Sequence, residues 1–138
     1  MAAFCLMFVV ATILALVVPQ LDWRRRITHR LATLALPVLG LRVTVKGLEN
    51  LPATNCIVVA NHASYLDGII MKAVLPPRFS FVIKREAASL PLAGFLLKRI
   101  GSEFVDRHSE GGRRRDALRV LRVAESGRAL VFFPEGTF

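Results

Sequence analysis

The chain has 138 residues, 54% of them apolar, and sets 19 Lys and Arg against 10 Asp and Glu for a formal charge of +9 and a mean hydropathy of +0.49. A chain this apolar repays the entropy of ordering, which excludes intrinsic disorder, and its length leaves room for one core rather than two. Positive mean hydropathy joined to strong positive charge points to membrane contact.

Residues 1–21 hold no charged side chain, so the whole positive charge falls from Asp22 onward. Residues 1–18 are apolar except for Thr12, and Pro19 follows them. A helix of that length rises roughly 27 Å, the lower limit for crossing a hydrocarbon core. No basic residue precedes the stretch and no small-x-small site follows it, so it is expected to stay attached rather than be cleaved. Arg24, Arg25, Arg26 and Arg30 come next and would hold that flank on the cytoplasmic side. A second apolar segment, residues 31–41 with Pro37 inside it, is too short to span. Residues 1–41 therefore read as one or two membrane-anchoring helical segments. A single spanning anchor and a pair lying in one leaflet, with a basic elbow at the headgroups, both remain open. Cys5 and Cys56 sit in apolar runs and read as reduced, buried thiols rather than as a disulfide framework or a metal site.

From residue 42 to residue 138 short β-rich runs alternate with helical patterns. Strands are expected at residues 42–46, 56–60, 79–83, 103–105 and 129–133, and helices at 64–74, at 86–99 with a break at Pro91, and at 113–125. In the last helix Ala117, Leu118 and Leu121 are expected to face inward and the arginines outward. Turns fall at Leu51-Pro52, Pro76-Pro77 and Gly111-Gly112. The wholly apolar runs CIVVA and ALVFF read as strands buried on both faces, as in an α/β fold with a mixed, largely parallel sheet flanked by helices.

The run Asn61-His62-Ala63-Ser64-Tyr65-Leu66-Asp67-Gly68 follows the first of those buried strands. On one continuous helix, His62 and Asp67 would point about 140° apart and could not meet. If the helix begins at Ser64, His62 lies on the preceding turn and can fold back over Asp67. A carboxylate on one ring nitrogen then fixes the tautomer and leaves the other nitrogen to take a proton from a hydroxyl. The same spacing, Ser64-x-x-Asp67, also reads as a helix capping box, so catalysis and capping stand side by side. Gly101-x-x-Phe104-x-x-Arg107 and Phe133-Pro134-Glu135-Gly136-Thr137 also lie at or beyond short strands. Ligands of open α/β sheets gather at the carboxyl ends of strands, so His62, Asp67, Arg107 and Glu135 are candidates to converge on one crevice.

These three blocks, NHxxxxD at Asn61, His62 and Asp67, GxxFxxR at Gly101, Phe104 and Arg107, and FPEGT at 133–137, agree in order and separation with one family. The chain resembles the glycerolipid acyltransferases typified by 1-acylglycerol-3-phosphate acyltransferase. The resemblance implies acyl transfer from acyl-CoA or acyl carrier protein, as substrate and not as cofactor, to the free hydroxyl of a lysophospholipid, with lysophosphatidic acid as the expected acceptor. It implies His62 as general base, Asp67 as its orienting carboxylate and Arg107 as the phosphate clamp. Glu135, Gly136, Gly101 and Thr137 would complete the acceptor site, with no metal and no other cofactor. It also implies a cell-membrane location with the active-site domain facing the cytoplasm, among membrane phospholipids.

The family's fourth block, a strand with a proline, would lie beyond Phe138, so the chain is expected to be a truncated form or fragment. A non-catalytic, membrane-bound interaction module is the rival reading. Nucleic acid is not an expected partner, despite the run Arg113, Arg114, Arg115, Arg119 and Arg122, because one Trp, one Tyr and no zinc spacing or helix-turn-helix pattern leave nothing to read bases.

Overall fold

The computed structural model describes residues 2–106 and 110–134. Two helices lead: α1 (Ala2–Val17) and α2 (Leu21–Val38). An alternating α/β unit follows, with β1 (Ile57–Val59), α3 (Tyr65–Val74), β2 (Ser80–Lys84), α4 (Ala93–Arg99), β3 (Glu103–Val105), α5 (Glu110–Glu125) and β4 (Leu130–Phe132). The four strands are all parallel in the order β1-β4-β2-β3. Residues 42–46 form no strand, which removes the candidate that would have started the sheet.

Position in the sheet explains which strand is buried. β4 lies between β1 and β2, so Ala129, Leu130 and Val131 are buried on both faces, as the sequence ALVFF suggests. β1 is at the edge: Val58 packs into the core while Ile57 and Val59 stand more than half exposed, so CIVVA is not buried on both faces. Phe79, Phe81, Val131 and Phe133 build the core on the α3 side, and Val82, Leu130 and Val105 build it on the α5 side.

α5 sits on the sheet through Val120, Val123 and Ala124, while Leu118 and Leu121 are exposed. The expected inward face is therefore rotated, and the cause is Asp116. This acid is buried, accepts from the Asp106 backbone N–H at 2.6 Å and from Arg85 at 2.9 Å, and lies 3.3 Å from Arg119. A charged side chain with such partners points inward, and apolar patterning cannot anticipate it. α5 also takes in Gly111 and Gly112, which were expected to form a turn. The segment broken at Pro91 becomes a 3₁₀ turn (Arg85–Ser89) followed by α4.

The leader departs most from expectation. α2 is one continuous helix that joins the basic elbow to the second apolar segment, with Pro37 in its last turn. No helix among the described residues is long and apolar enough to cross a membrane. α1 buries its small residues Ala11 and Ala15 against Leu96 and Ile100 of the α4 region, and turns Leu6, Val9, Ile13, Leu16 and Val17 outward. Cys5 is exposed too, so only Cys56 is part-buried.

Two arginines of the expected headgroup elbow instead hold this helix pair to the α/β unit. Arg24 donates to the carbonyl oxygens of Arg99 and Pro19. Arg25, 7% exposed, donates through Nε to the Ile100 carbonyl at 3.0 Å, through Nη1 to that of Arg78 at 3.4 Å and through Nη2 to Ser80 Oγ. Gly101 is shaped by the same contact: its φ is +79°, and a Cβ there would meet Arg25 Nη2 at 2.9 Å. Arg25→Met keeps the aliphatic stem and strands three buried acceptors, so we expect a loss of about 2 to 4 kcal/mol. In urea unfolding this appears as a lower midpoint at an unchanged slope, and Arg25→Lys should recover only part of it because it lacks the planar fork.

Candidate active site

The chain leaves the carboxyl end of β1, turns through Asn61, His62 and Ala63, and enters α3 with Ser64 as its N-cap. Ser64 is extended (φ −155°, ψ 152°) and its Oγ accepts from the Leu66 N–H at 3.2 Å. This early helix start leaves His62 outside the helix and Asp67 in its first turn, the arrangement that lets the two side chains meet.

A single carboxylate oxygen organises the turn. Asp67 Oδ2 accepts from the Ala63 N–H at 2.7 Å and the Ser64 N–H at 2.8 Å, and lies 3.1 Å from His62 Nδ1. The capping box and the His–Asp pair are therefore one structure rather than competing ones. The Ser64 N–H, and after it the Ala63 N–H and His62, hold the Asp67 carboxyl below its ordinary range against the opposing effect of burial. An ionised Asp67 can only accept, so Nδ1 carries the proton and donates it. That tautomer makes Nε2 the nitrogen with a lone pair for a substrate proton. The His62 ring also stacks on Phe133, centroids 4.5 Å apart and planes 30° apart, which fixes its rotation about the carboxylate.

His62 and Phe133 line a cavity of about 530 Å³ whose walls come from α1, α2, α3, β2 and α4. Its lining is almost wholly apolar and includes Phe8 and Ala11 of α1, Ile69 of α3, Phe81 of β2, and Leu96 and Leu97 of α4. Lys72 and Lys84 also line it.

Among the expected site residues, the fold brings His62 and Asp67 together. Gly101 sits before β3, at the opposite edge of the parallel sheet from His62, where it fits the turn against Arg25 and Leu21. Arg107, Glu135, Gly136 and Thr137 lie outside the described residues. Three features escaped the sequence reading: the ring contact of Phe133, the Ala63 backbone donor to Asp67, and the use of α1 and α2 as cavity walls. The first two need coordinates, whereas the small residues Ala11 and Ala15 within an apolar helix were a legible sign of close packing.

A family model described as Acyltransferase matches residues 42–138. The lyso-ornithine lipid O-acyltransferase of Rhodobacter capsulatus is 35% identical over 117 residues, covering 83% of this chain and 40% of that protein. The 1-acyl-sn-glycerol-3-phosphate acyltransferase of Saccharomyces cerevisiae is 35% identical over 105 residues, covering 72% of this chain and 33% of its own length. This chain thus spans less than half of these relatives. The crystal structure of the 1-acyl-sn-glycerophosphate (LPA) acyltransferase PlsC from Thermotoga maritima superposes with a TM-score of 0.66 at 23% identity, over 99% of this chain and 61% of that one. It shares this fold.

Proposed function

This chain belongs to the glycerolipid acyltransferase family, and we propose that it moves a fatty acyl group from a thioester to the hydroxyl of a lysophospholipid. The observation that carries the reading is the His62–Asp67 pair, at 3.1 Å, on the wall of a large apolar cavity. A polar base beside room for a hydrocarbon chain is what transfer of a fatty acyl group requires. His62 Nε2 takes the acceptor hydroxyl's proton as its oxygen attacks the thioester carbonyl carbon. The tetrahedral intermediate then collapses, the carbon–sulfur bond breaks, and His62 returns the proton to the departing thiolate. Asp67 stays ionised throughout and stabilises the imidazolium. No enzyme nucleophile is needed. The test is thioester release: thiol should appear only when a lysophospholipid with a free hydroxyl is added, with one acylated lipid formed per thiol.

The donor is acyl-CoA or acyl carrier protein, and lysophosphatidic acid is the proposed acceptor, with Arg107 as its phosphate clamp beside Glu135, Gly136 and Thr137. This assignment rests on the motif resemblance. Arg107→Lys keeps the charge and loses the fork that grips two oxygens. We expect the KM for a phosphate-bearing acceptor to rise roughly tenfold or more. The donor KM should hardly move, and an acceptor lacking the phosphate should be indifferent. Equal losses for both acceptors would remove Arg107 from the phosphate site.

We further propose that α1 and α2 rest on the cytoplasmic face of the cell membrane. Support comes from the exposed Leu6, Val9, Ile13, Leu16 and Val17 on α1 and from exposed Trp23 at the start of α2, whose ring lies 5.6 Å from the Arg26 guanidinium. Large apolar side chains outside, an aromatic ring and neighbouring arginines suit an interfacial helix pair that offers lipid chains directly to the cavity behind it.

A further inference from the structure

The outer side of α5 carries a pattern that the proton-transfer chemistry leaves unused. Its inner side, Asp116, Val120, Val123 and Ala124, is committed to the sheet and to the end of β3. On the other side Arg114, Arg115, Leu118, Leu121 and Arg122 are all exposed, the two leucines at 46% and 52%. At about 100° per residue, these side chains fall within one arc of about 120°, from Leu121 to Arg115. Arg119 at the border is held by Asp116 at 3.3 Å and Glu103 at 3.9 Å, whereas Arg114, Arg115 and Arg122 pair with no acid among the described residues. Folding does not account for the pattern. Arginines in the first half of a helix gain nothing from a dipole that favours acids there, and exposed leucines bury nothing.

The place of α5 in the fold bears on what could meet it. In the order β1-β4-β2-β3 the crossovers through α3 and α4 step one way across the sheet, and α5 returns the other way. Right-handed connections therefore put α5 on the opposite face from α3 and α4. α2 packs on α3 and α1 on α4, so the helix pair proposed for the membrane lies across the sheet from α5. With layers about 10 Å apart, α5 stands roughly 20 Å from α3, beyond a Debye length of about 8 Å. A lipid surface at α1 and α2 does not reach these arginines. α5 also begins where β3 ends, so Arg114 and Arg115 lie toward the carboxyl ends of the strands, the end at which the His62 turn leaves β1.

We propose that the outer face of α5 docks an acidic protein, the carrier-protein form of the acyl donor. The proposal rests on the acyl-transfer reading above. Coenzyme A and a carrier protein offer the same thioester on the same kind of arm, and the carrier alone adds a folded body with a surface of its own. Arg114, Arg115 and Arg122 complement acidic side chains on that body and steer its approach. Leu118 and Leu121, set among them, supply the apolar centre that a protein interface needs. The carrier then docks from the solvent side while the lipid acceptor arrives from the membrane side, and the arm brings the thioester around the strand ends to His62.

The test compares acyl carrier protein with acyl-CoA, at one acyl length and with one acceptor, in the intact protein. Arg114→Glu, Arg115→Glu and Arg122→Glu together should raise the KM for acyl carrier protein roughly tenfold or more and leave that for acyl-CoA within about twofold. Arg114→Glu alone and Leu118→Ser should each move the carrier KM in the same direction, so the result does not hang on the folding of the triple variant. Lysine at the three arginine positions should keep most of the carrier rate, because steering needs the charge and not the fork. Added salt should slow the carrier reaction and spare the coenzyme reaction. Equal changes for both donors, or none for the carrier, would overturn the proposal while leaving acyl transfer intact. Loss of flotation with phosphatidylglycerol vesicles in the triple variant, at an unchanged carrier KM, would assign the face to lipid and overturn it as well. Absence of thiol release from either donor by the unsubstituted protein would overturn the acyl-transfer reading itself, and this proposal with it.

Discussion

His62→Ala should lower kcat roughly 10³-fold while the protein stays folded. The substitution removes the only ring nitrogen that the Asp67 carboxylate holds in place, 3.1 Å from Oδ2, and with it the acceptor for the hydroxyl proton. It also removes the stack on Phe133, which costs about 1 kcal/mol of stability. The helix start is untouched, because the Ala63 and Ser64 N–H groups reach Asp67 through the backbone. Single-turnover measurements should show normal accumulation of bound donor followed by slow transfer, so kcat and kcat/KM fall together. Turnover near that of the unsubstituted protein would sink the proposed mechanism, since no second base has been assigned.

The sheet and the helix start were legible for different reasons. β4 and the centre of the sheet read correctly because ALVFF has no polar residue to place on either face, and a strand between two neighbours needs none. CIVVA is as apolar, yet it forms an edge, because composition does not say whether a second neighbour exists. The turn that joins His62 to Asp67 was legible because Ser64 is a strong N-cap, and a helix starting there frees His62 from helical geometry. What the sequence could not tell is that Asp67 Oδ2 serves the cap and the histidine at once, since the spacing of the two readings is the same. Arg25 was placed at the headgroups and Asp116 drew no reading at all for a common reason: patterning assigns charge to water, and each is buried by hydrogen-bond partners distant in sequence.

Asp67→Asn should reduce kcat by up to roughly 10³-fold, approaching the loss of His62 itself and the largest effect we expect from any near-isosteric change in this protein. The amide keeps an oxygen that can accept from the Ala63 and Ser64 N–H groups, so the cap survives with weaker bonds and the loss of stability should be about 1 kcal/mol. What disappears is the negative charge, and with it both the preference for a proton on Nδ1 and the stabilisation of the imidazolium formed during transfer. Acid unfolding gives an independent readout. The folded-state pKa of Asp67 is depressed, chiefly by the Ser64 N–H, so its contribution to stability is complete above the ordinary carboxylate pKa of about 4 and is lost as pH falls through the folded value. Asp67→Asn should make stability less steep in acid without flattening it, because Asp116 is depressed in the same direction by the Asp106 N–H. A helix cap alone predicts the small stability change and the shallower acid limb with nearly normal turnover. A catalytic orienter that is also a cap predicts all three effects, with the loss of turnover exceeding anything the stability change can explain.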